Sequence, residues 1–293
     1  MCSKIITVFT PTYNRAYILH RLYQSLKRQT CSDFEWLIVD DGSTDNTAEL
    51  AGEWIKENII KIRYFKQANG GKQRAHNYGI ELCGTELFIN VDSDDYLTDN
   101  AIEEHLLLWD SIEDKESVSG ILSMRGKDAD TPIAGRWFPE NVRYSTSADI
   151  YRKHKYKGDS VLLHRTDILR RFPFYVADGE KFMGESYVWQ QIDQEYVMAV
   201  LPKITYICEY LPDGYSANVR KLLKNNPIGY RILNRQMVVY SVTFTERYVN
   251  MMRYIIACKL SKVGCMEDSP SKFLTVLAYI PAMFFYWKLY GNL

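Results

Sequence analysis

Two rhythms alternate along the first hundred residues. Short runs rich in β-branched and aromatic residues read as buried strands. They cover Lys4 to Phe9, Phe34 to Val39, Ile62 to Phe65, and a run from Leu87 that ends in Asp92-Ser93-Asp94-Asp95. Between them, apolar positions recur at helical spacing. Ile18, Leu19, Leu22 and Leu26 mark one helix over 16–28, and another runs from about Gln73 to Leu82. Ser43 or Thr44 is placed to cap a third helix through Trp54 and Ile55. Strand-helix alternation with short connections predicts an α/β fold, a doubly wound, mainly parallel sheet with flanking helices. Ligands of such sheets lie beyond the carboxyl ends of the strands, near a reversal of strand order. The loop Thr10 to Arg15, the pair Asp40-Asp41 and the acids Asp92, Asp94 and Asp95 should therefore converge on one crevice.

The second half is less regular. A helix over 100–113 precedes a strand from Ser119 to Met124, and charged sequence through Arg136 reads as a surface loop. Gly158 to Arg165 leads into Asp167 to Arg171 and a break at Pro173. Gly184 before Glu185, then Val188, Trp189 and Ile192 on one face, reads as a loop entering a helix. Val197 to Glu209 suggests a closing strand pair, and Tyr210 to Ser216 a turn over the site. A boundary near residue 215 separates this region, 1–215, from a basic, amphipathic helical tail, 216–293. The tail's apolar run Phe273 to Trp287 is shorter than the ~20 residues a spanning helix needs, and Pro281 should interrupt it. Basic residues and aromatic rings together suit contact with an anionic cytoplasmic leaflet, peripheral to the membrane. The other reading packs these helices on the catalytic domain or on a second subunit, giving a homo-oligomer.

Composition narrows the classes. Lys and Arg number 36 against 36 Asp and Glu, which excludes a strongly basic nucleic-acid binder. Six cysteines lie scattered without Cys-x-x-Cys spacing, which argues against structural zinc or a disulfide framework and suits a reducing cytosol. The amino terminus turns polar too soon for a signal peptide, so a cytoplasmic location is expected. Clustered carboxylates at a strand end repel one another and ask for a cation. Hard oxygen ligands in small number suit Mg²⁺ or Mn²⁺ shared with a phosphate. The same acids also read as a solvated turn before a helix started by Asp99 or Asn100. Asp40-Asp41-Gly42-Ser43 likewise has a plain turn as its alternative. As a crevice, the set suits a nucleoside diphosphate: Asp40 accepts from base or ribose, Asp92 and Asp94 hold the metal, and Lys72 or Arg74 meets phosphate.

Four segments then occur in order: Val8-Phe-Thr-Pro-Thr-Tyr-Asn-Arg15, Leu37-Ile-Val-Asp-Asp-Gly-Ser-Thr-Asp45, Asn69-Gly-Gly-Lys72 with Asn77-Tyr-Gly79, and Val91-Asp-Ser-Asp94. Together they closely resemble the family-2 inverting glycosyltransferases of the GT-A fold, of the bacterial cell-surface polysaccharide type. The resemblance implies a nucleotide-sugar donor, most often a UDP-sugar, a divalent metal, a glycan or lipid-linked acceptor, and inversion at the anomeric carbon. It implies donor contacts at Pro11, Tyr13, Arg15, Asp40, Lys72, Arg74, Asp92 and Ser93, with Asp92-Ser93-Asp94 as the DxD motif and Asp94 the more direct metal ligand. His76 stands where many relatives carry Arg, so that polar role passes to Arg74 or Lys72. Aligning Val188-Trp189 puts Glu185 at the general base, the alternative being a simple cap of the following helix. A nucleotidyltransferase of the same fold and a non-catalytic nucleotide-binding partner of a glycosyltransferase complex are the competing functions.

Overall fold

The computed structural model describes residues 5–133, 135–208 and 218–291. In chain order these form β1 (Ile6–Thr12), α1 (Ala16–Lys27), β2 (Phe34–Asp40), α2 (Thr47–Glu57), β3 (Ile62–Lys66), α3 (Lys72–Leu82), β4 (Leu87–Asn90), β5 (Tyr96–Leu97), α4 (Ala101–Asp110), β6 (Val118–Gly126), β7 (Tyr144–Ser145), α5 (Asp149–Arg152), β8 (Ser160–Arg165), α6 (Thr166–Arg171), α7 (Ser186–Ile192), β9 (Val197–Ile207), α8 (Val219–Asn225), α9 (Pro227–Tyr240), α10 (Phe244–Leu260) and α11 (Lys272–Tyr290). The chain divides into two compact units. One comprises Met1–Pro173 and Trp189–Glu209, the other Phe174–Val188 and Tyr210–Leu293.

All nine strands lie in the first unit and form one sheet, ordered β3-β2-β1-β4-β8-β6-β9-β5 with β7 on β9. The doubly wound parallel part expected from the alternation is β3-β2-β1-β4. Beyond β4 the sheet is mixed, because β8 runs antiparallel to both β4 and β6. The chain steps outward from β1 to β3 and then crosses back over β1 to β4, so the reversal of strand order falls between β1 and β4. Strand β1 extends through Pro11 and Thr12, further than the periodicity suggested. Its pairing with β4 ends at Phe9, while pairing with β2 continues to Thr12, so Pro11 sits where one neighbour has already left.

Periodicity places the inner helices because their apolar stripes are buried. On one face Tyr23, Trp36 and Trp54 stack, with centroids 4.4 Å apart for Tyr23 and Trp54, locking α1 and α2 over β2. On α3, Gly79 permits the close approach to β1: a Cβ there would lie 2.3 Å from the Phe9 ring. Helix α2 starts later than Ser43 or Thr44, because Asp45 accepts from the Thr47 amide and hydroxyl while Ser43 turns elsewhere. The expected strand pair over 197–209 is the single strand β9. Pro202 and Lys203 are absorbed by a register irregularity against β6 instead of a turn. Glu209 and the proposed turn over 210–216 lie outside the described residues.

His105, on α4, is fully buried and bonded to Ser123 through Nε2 at 3.1 Å. Burial pushes its pKa down from 6.5 to about 4. An unfolded chain takes up that proton first, so the stability from neutral His105 is complete above pH ~6.5 and is lost as pH falls toward 4. At pH 5 the loss is roughly 2 kcal/mol. Thermal melts between pH 7 and 4.5 should show this decline, and His105→Gln should remove its share of it, since the buried His76 and His164, each pushed down to about 3, lose stability over the same range.

In the second unit, α9 begins with Pro227 at its first position, and the buried Glu180 carboxylate accepts from the Ile228 and Gly229 amides at 2.6 and 2.7 Å. Thr243 and Glu246 make a capping box that starts α10. Pro281 does not interrupt the last helix: α11 runs through it, 19 residues in all from Lys272 to Tyr290. By length and composition α11 could cross a membrane.

Candidate active site

Register fixes the floor of the crevice. Thr12, Asp40 and Lys66 stand level at the carboxyl ends of β1, β2 and β3. Asp40 is fully buried. One carboxylate oxygen accepts the Ser43 amide at 2.6 Å, the other the Tyr64 hydroxyl, and the Lys66 ammonium lies 3.9 Å away. Burial, reinforced by the Asp40 bond, raises the Tyr64 pKa above its ordinary value, so Tyr64 stays a donor. Ser43 also accepts the Asn14 amide at 2.9 Å, and Asn14 accepts the Thr44 amide at 2.8 Å, binding the β1 loop to the β2 loop.

Asp41 organises the wall. Its oxygens accept from the Gly70 and Gly71 amides at 2.8 and 2.7 Å and from Gln67 at 2.7 Å, while Asn69 donates to its carbonyl at 2.9 Å. The fit needs a bare Gly42, whose φ is +86°; a Cβ there would meet the Asn69 nitrogen at 2.9 Å. This grip sets the start of α3 and hence Lys72. Arg74 reaches back to the Gly70 carbonyl at 2.9 Å.

Between β4 and β5 the chain turns through the acids. Lys72 Nζ lies 2.6 Å from Asp92 Oδ1, which Asn90 also reaches at 3.0 Å. Burial opposes ionisation of Asp92, but the charges of Lys72 and Arg125 and these bonds outweigh it and lower its pKa. Asp94 behaves oppositely: burial first, then the Asp92 charge, raises its pKa, with Arg15 and Lys72 acting against them. Asp95 is buried and faces Tyr206, whose hydroxyl donates to it at 2.7 Å and accepts the Asp92 amide at 3.0 Å. The Arg125 guanidinium covers the Tyr206 ring at 4.6 Å.

The donor set fits a hard divalent ion. Burial, and after it the Asp92 charge, raise the Asp94 pKa, a penalty on the carboxylate that a shared cation would relieve. Among the described residues no group of three or more acids, histidines or cysteines forms a closed cage. The chain would thus supply Asp92 and Asp94, with phosphate and water completing the shell. Thr12 Oγ1 and Asn90 Oδ1 are further buried oxygens without a hydrogen-bond partner at this edge.

Arg15, Lys72, Asp92 and Asp94 therefore act on one another, with Asp40 at the floor. Pro11 and Ser93 are buried in the strand end and the turn, and Tyr13 is exposed beside them. Glu185 directly precedes α7 and belongs to the second unit, where its carbonyl accepts the Val188 amide at 3.1 Å. His76 is buried against Phe9, Phe88 and Trp189, and burial pushes its pKa down to about 3, so it is part of the core. His164 stacks on Trp189 at 4.9 Å. Tyr64, Arg125 and Tyr206 were not legible as site residues. Asp41 was expected in the crevice as half of the Asp-Asp pair, but its grip on Gly70 and Gly71 was not. Tyr206→Phe should leave the Asp92 amide and the Asp95 carboxyl short of a partner, at a cost of about 1–3 kcal/mol. A lower melting temperature of the variant, read beside the parent protein, would check it.

Comparison with known proteins agrees with this geometry. The family model for glycosyl transferase family 2 matches residues 7–174. The hyaluronan synthase of Pasteurella multocida is 34% identical over 240 residues, 80% of this chain and 24% of that protein. The chain spans about a quarter to two fifths of the length of curated relatives of this kind. Among solved structures, S. aureus TarS 1-349 in complex with UDP-GlcNAc superposes with a TM-score of 0.61 at 16% identity, covering 98% of this chain and 92% of that one. A Pyrobaculum calidifontis mannosyltransferase in complex with GDP-Man and Mn2+ gives 0.57 at 15% identity, covering 99% and 83%. These likenesses show the GT-A architecture.

Proposed function

The chain belongs to glycosyl transferase family 2, and on that premise we propose that it moves one sugar from a UDP-sugar to a hydroxyl of a glycan or lipid-linked acceptor, with inversion, in cell-surface polysaccharide synthesis. The observation that carries this reading is the Lys72–Asp92 pair beside Asp94 at the carboxyl ends of β1 and β4, where strand order reverses. A uridine donor and a polysaccharide product are supported by the TarS complex and by the hyaluronan synthase likeness.

Asp40 accepts from the nucleoside, held at the floor by Ser43 and Tyr64. Pro11, Tyr13 and Ser93 line the donor, and Arg15, Lys72 and Arg74 face its phosphates. Asp92 and Asp94 would hold Mn²⁺ or Mg²⁺, which when bound offsets the charge that builds on the departing diphosphate. In the transfer the acceptor oxygen attacks the anomeric carbon from the face opposite the diphosphate. The C–O bond to phosphate breaks, its electron pair leaves with UDP, and Glu185 takes the acceptor proton. Glu185 has this role by its place before Val188-Trp189. Residues 1–215 supply these groups, and the helical region 216–293 falls in the same compact unit as Phe174–Val188, which carries Glu185. The five described cysteines are free, which supports a cytoplasmic setting.

Thermal shift against a panel of nucleotide-sugars with Mn²⁺ tests the donor, since a bound ligand raises the melting temperature by mass action. A UDP-sugar should give the largest rise and release UDP when an acceptor is added. A shift without turnover on any acceptor would favour a nucleotide-binding partner, and no shift at all would overturn the site.

A further inference from the structure

Helix α11 presents two unlike faces. Leu274, Ala278, Ala282 and Tyr290 pack with Met251, Tyr254 and Cys258 of α10 in the core of the second unit. The opposite stripe, Phe273, Val276, Leu277, Ile280, Phe284 and Trp287, recurs at helical spacing, and every member is between 49% and 80% exposed. That is four turns of aliphatic and aromatic surface facing outward. Exposed lysines, Lys272 and Lys288, close the stripe at each end, four residues from Val276 and Phe284. Residues 218–291 carry eleven Lys and Arg against three Asp and Glu.

We propose that the outer face of α11 docks in the plane of an anionic phospholipid bilayer, its apolar stripe among the acyl chains and Lys272 and Lys288 among the headgroups. Charge selects this occupant. A second copy would bring like-charged surfaces together, whereas an anionic leaflet neutralises them. Packing selects the depth. A helix that crossed the bilayer would carry its partner α10 with it, and α10 bears Glu246, Arg247, Arg253 and Lys259, whose charges are costly in hydrocarbon. An in-plane helix keeps α10 on the water side.

The full chain should sediment with vesicles of equal parts phosphatidylglycerol and phosphatidylcholine at least about tenfold more strongly than with phosphatidylcholine alone. Ile280→Asp with Phe284→Asp should lower that binding by at least about tenfold. Both positions are exposed, so circular dichroism and the melting temperature should match the parent protein. Lys272→Glu with Lys288→Glu should remove the preference for the anionic lipid. Trp287 emission should shift to the blue on vesicles, a change absent in Trp287→Phe. Equal binding to both vesicles, or none, would overturn the proposal. So would a dimer in sedimentation equilibrium that Phe284→Asp dissolves, which would make a second copy the occupant. Retention in the membrane through alkaline carbonate would overturn the in-plane placement.

Discussion

Asp94→Ala is expected to lower sugar transfer by at least about a thousandfold. Asp94 is where burial and the neighbouring Asp92 charge already disfavour a bare carboxylate, so its negative charge is most useful when a cation shares it. Removing it leaves Asp92, whose Oδ1 is engaged by Lys72 and Asn90, as the remaining acid for a metal. Mn²⁺-dependent UDP binding should weaken in parallel, while the melting temperature without ligand should hold or rise, because a strained buried acid is gone. Isothermal titration of UDP with and without Mn²⁺ separates the two effects. Asp94→Asn should behave like Asp94→Ala in transfer, since the charge is what matters. Turnover within tenfold of the parent would mean that the metal, if one acts, is held elsewhere.

The second large effect is at Glu185. Glu185→Gln keeps shape and hydrogen-bonding capacity but cannot accept a proton at neutral pH, so kcat should fall by about a hundredfold to ten-thousandfold. Donor affinity should stay within about threefold of the parent, because the nucleoside and phosphate contacts belong to other residues. The distinguishing readout is the split between kcat and donor affinity. A helix cap alone would change stability and leave kcat in place. Near-normal turnover would place the base at another acid.

These expectations show how far residue patterns carry. Strands β1, β2 and β4 were legible because buried parallel strands are apolar runs, and the edge strand β3 from its β-branched and aromatic residues; the acids stood out because charge at a strand end has few explanations. Tyr206 was not legible. It lies 111 residues from Asp95 in the chain, in a protein with 22 tyrosines, and only the β9 register brings its hydroxyl to the acid turn. Asp41 was visible as one of a pair, but its grip on Gly70 and Gly71 depends on a loop whose shape is tertiary. Pro281 misled for a related reason. Local chemistry says that proline ends a helix, yet the packing of α11 on α10 on both sides of residue 281 sustains it. The same limit applied at Pro202, where β6 carries β9 past the proline.

Tyr206 also bears on where the molecule can be cut. The family match stops at residue 174, an inviting place to trim an expression clone. A fragment ending there would lose β9, baring the β6 edge that it covers and the strand that pairs β5 and β7. It would also lose the hydroxyl that staples the acid turn shut. Protease-resistant, donor-competent truncations should therefore retain the chain through at least Ile207, and those ending earlier should clump during refolding.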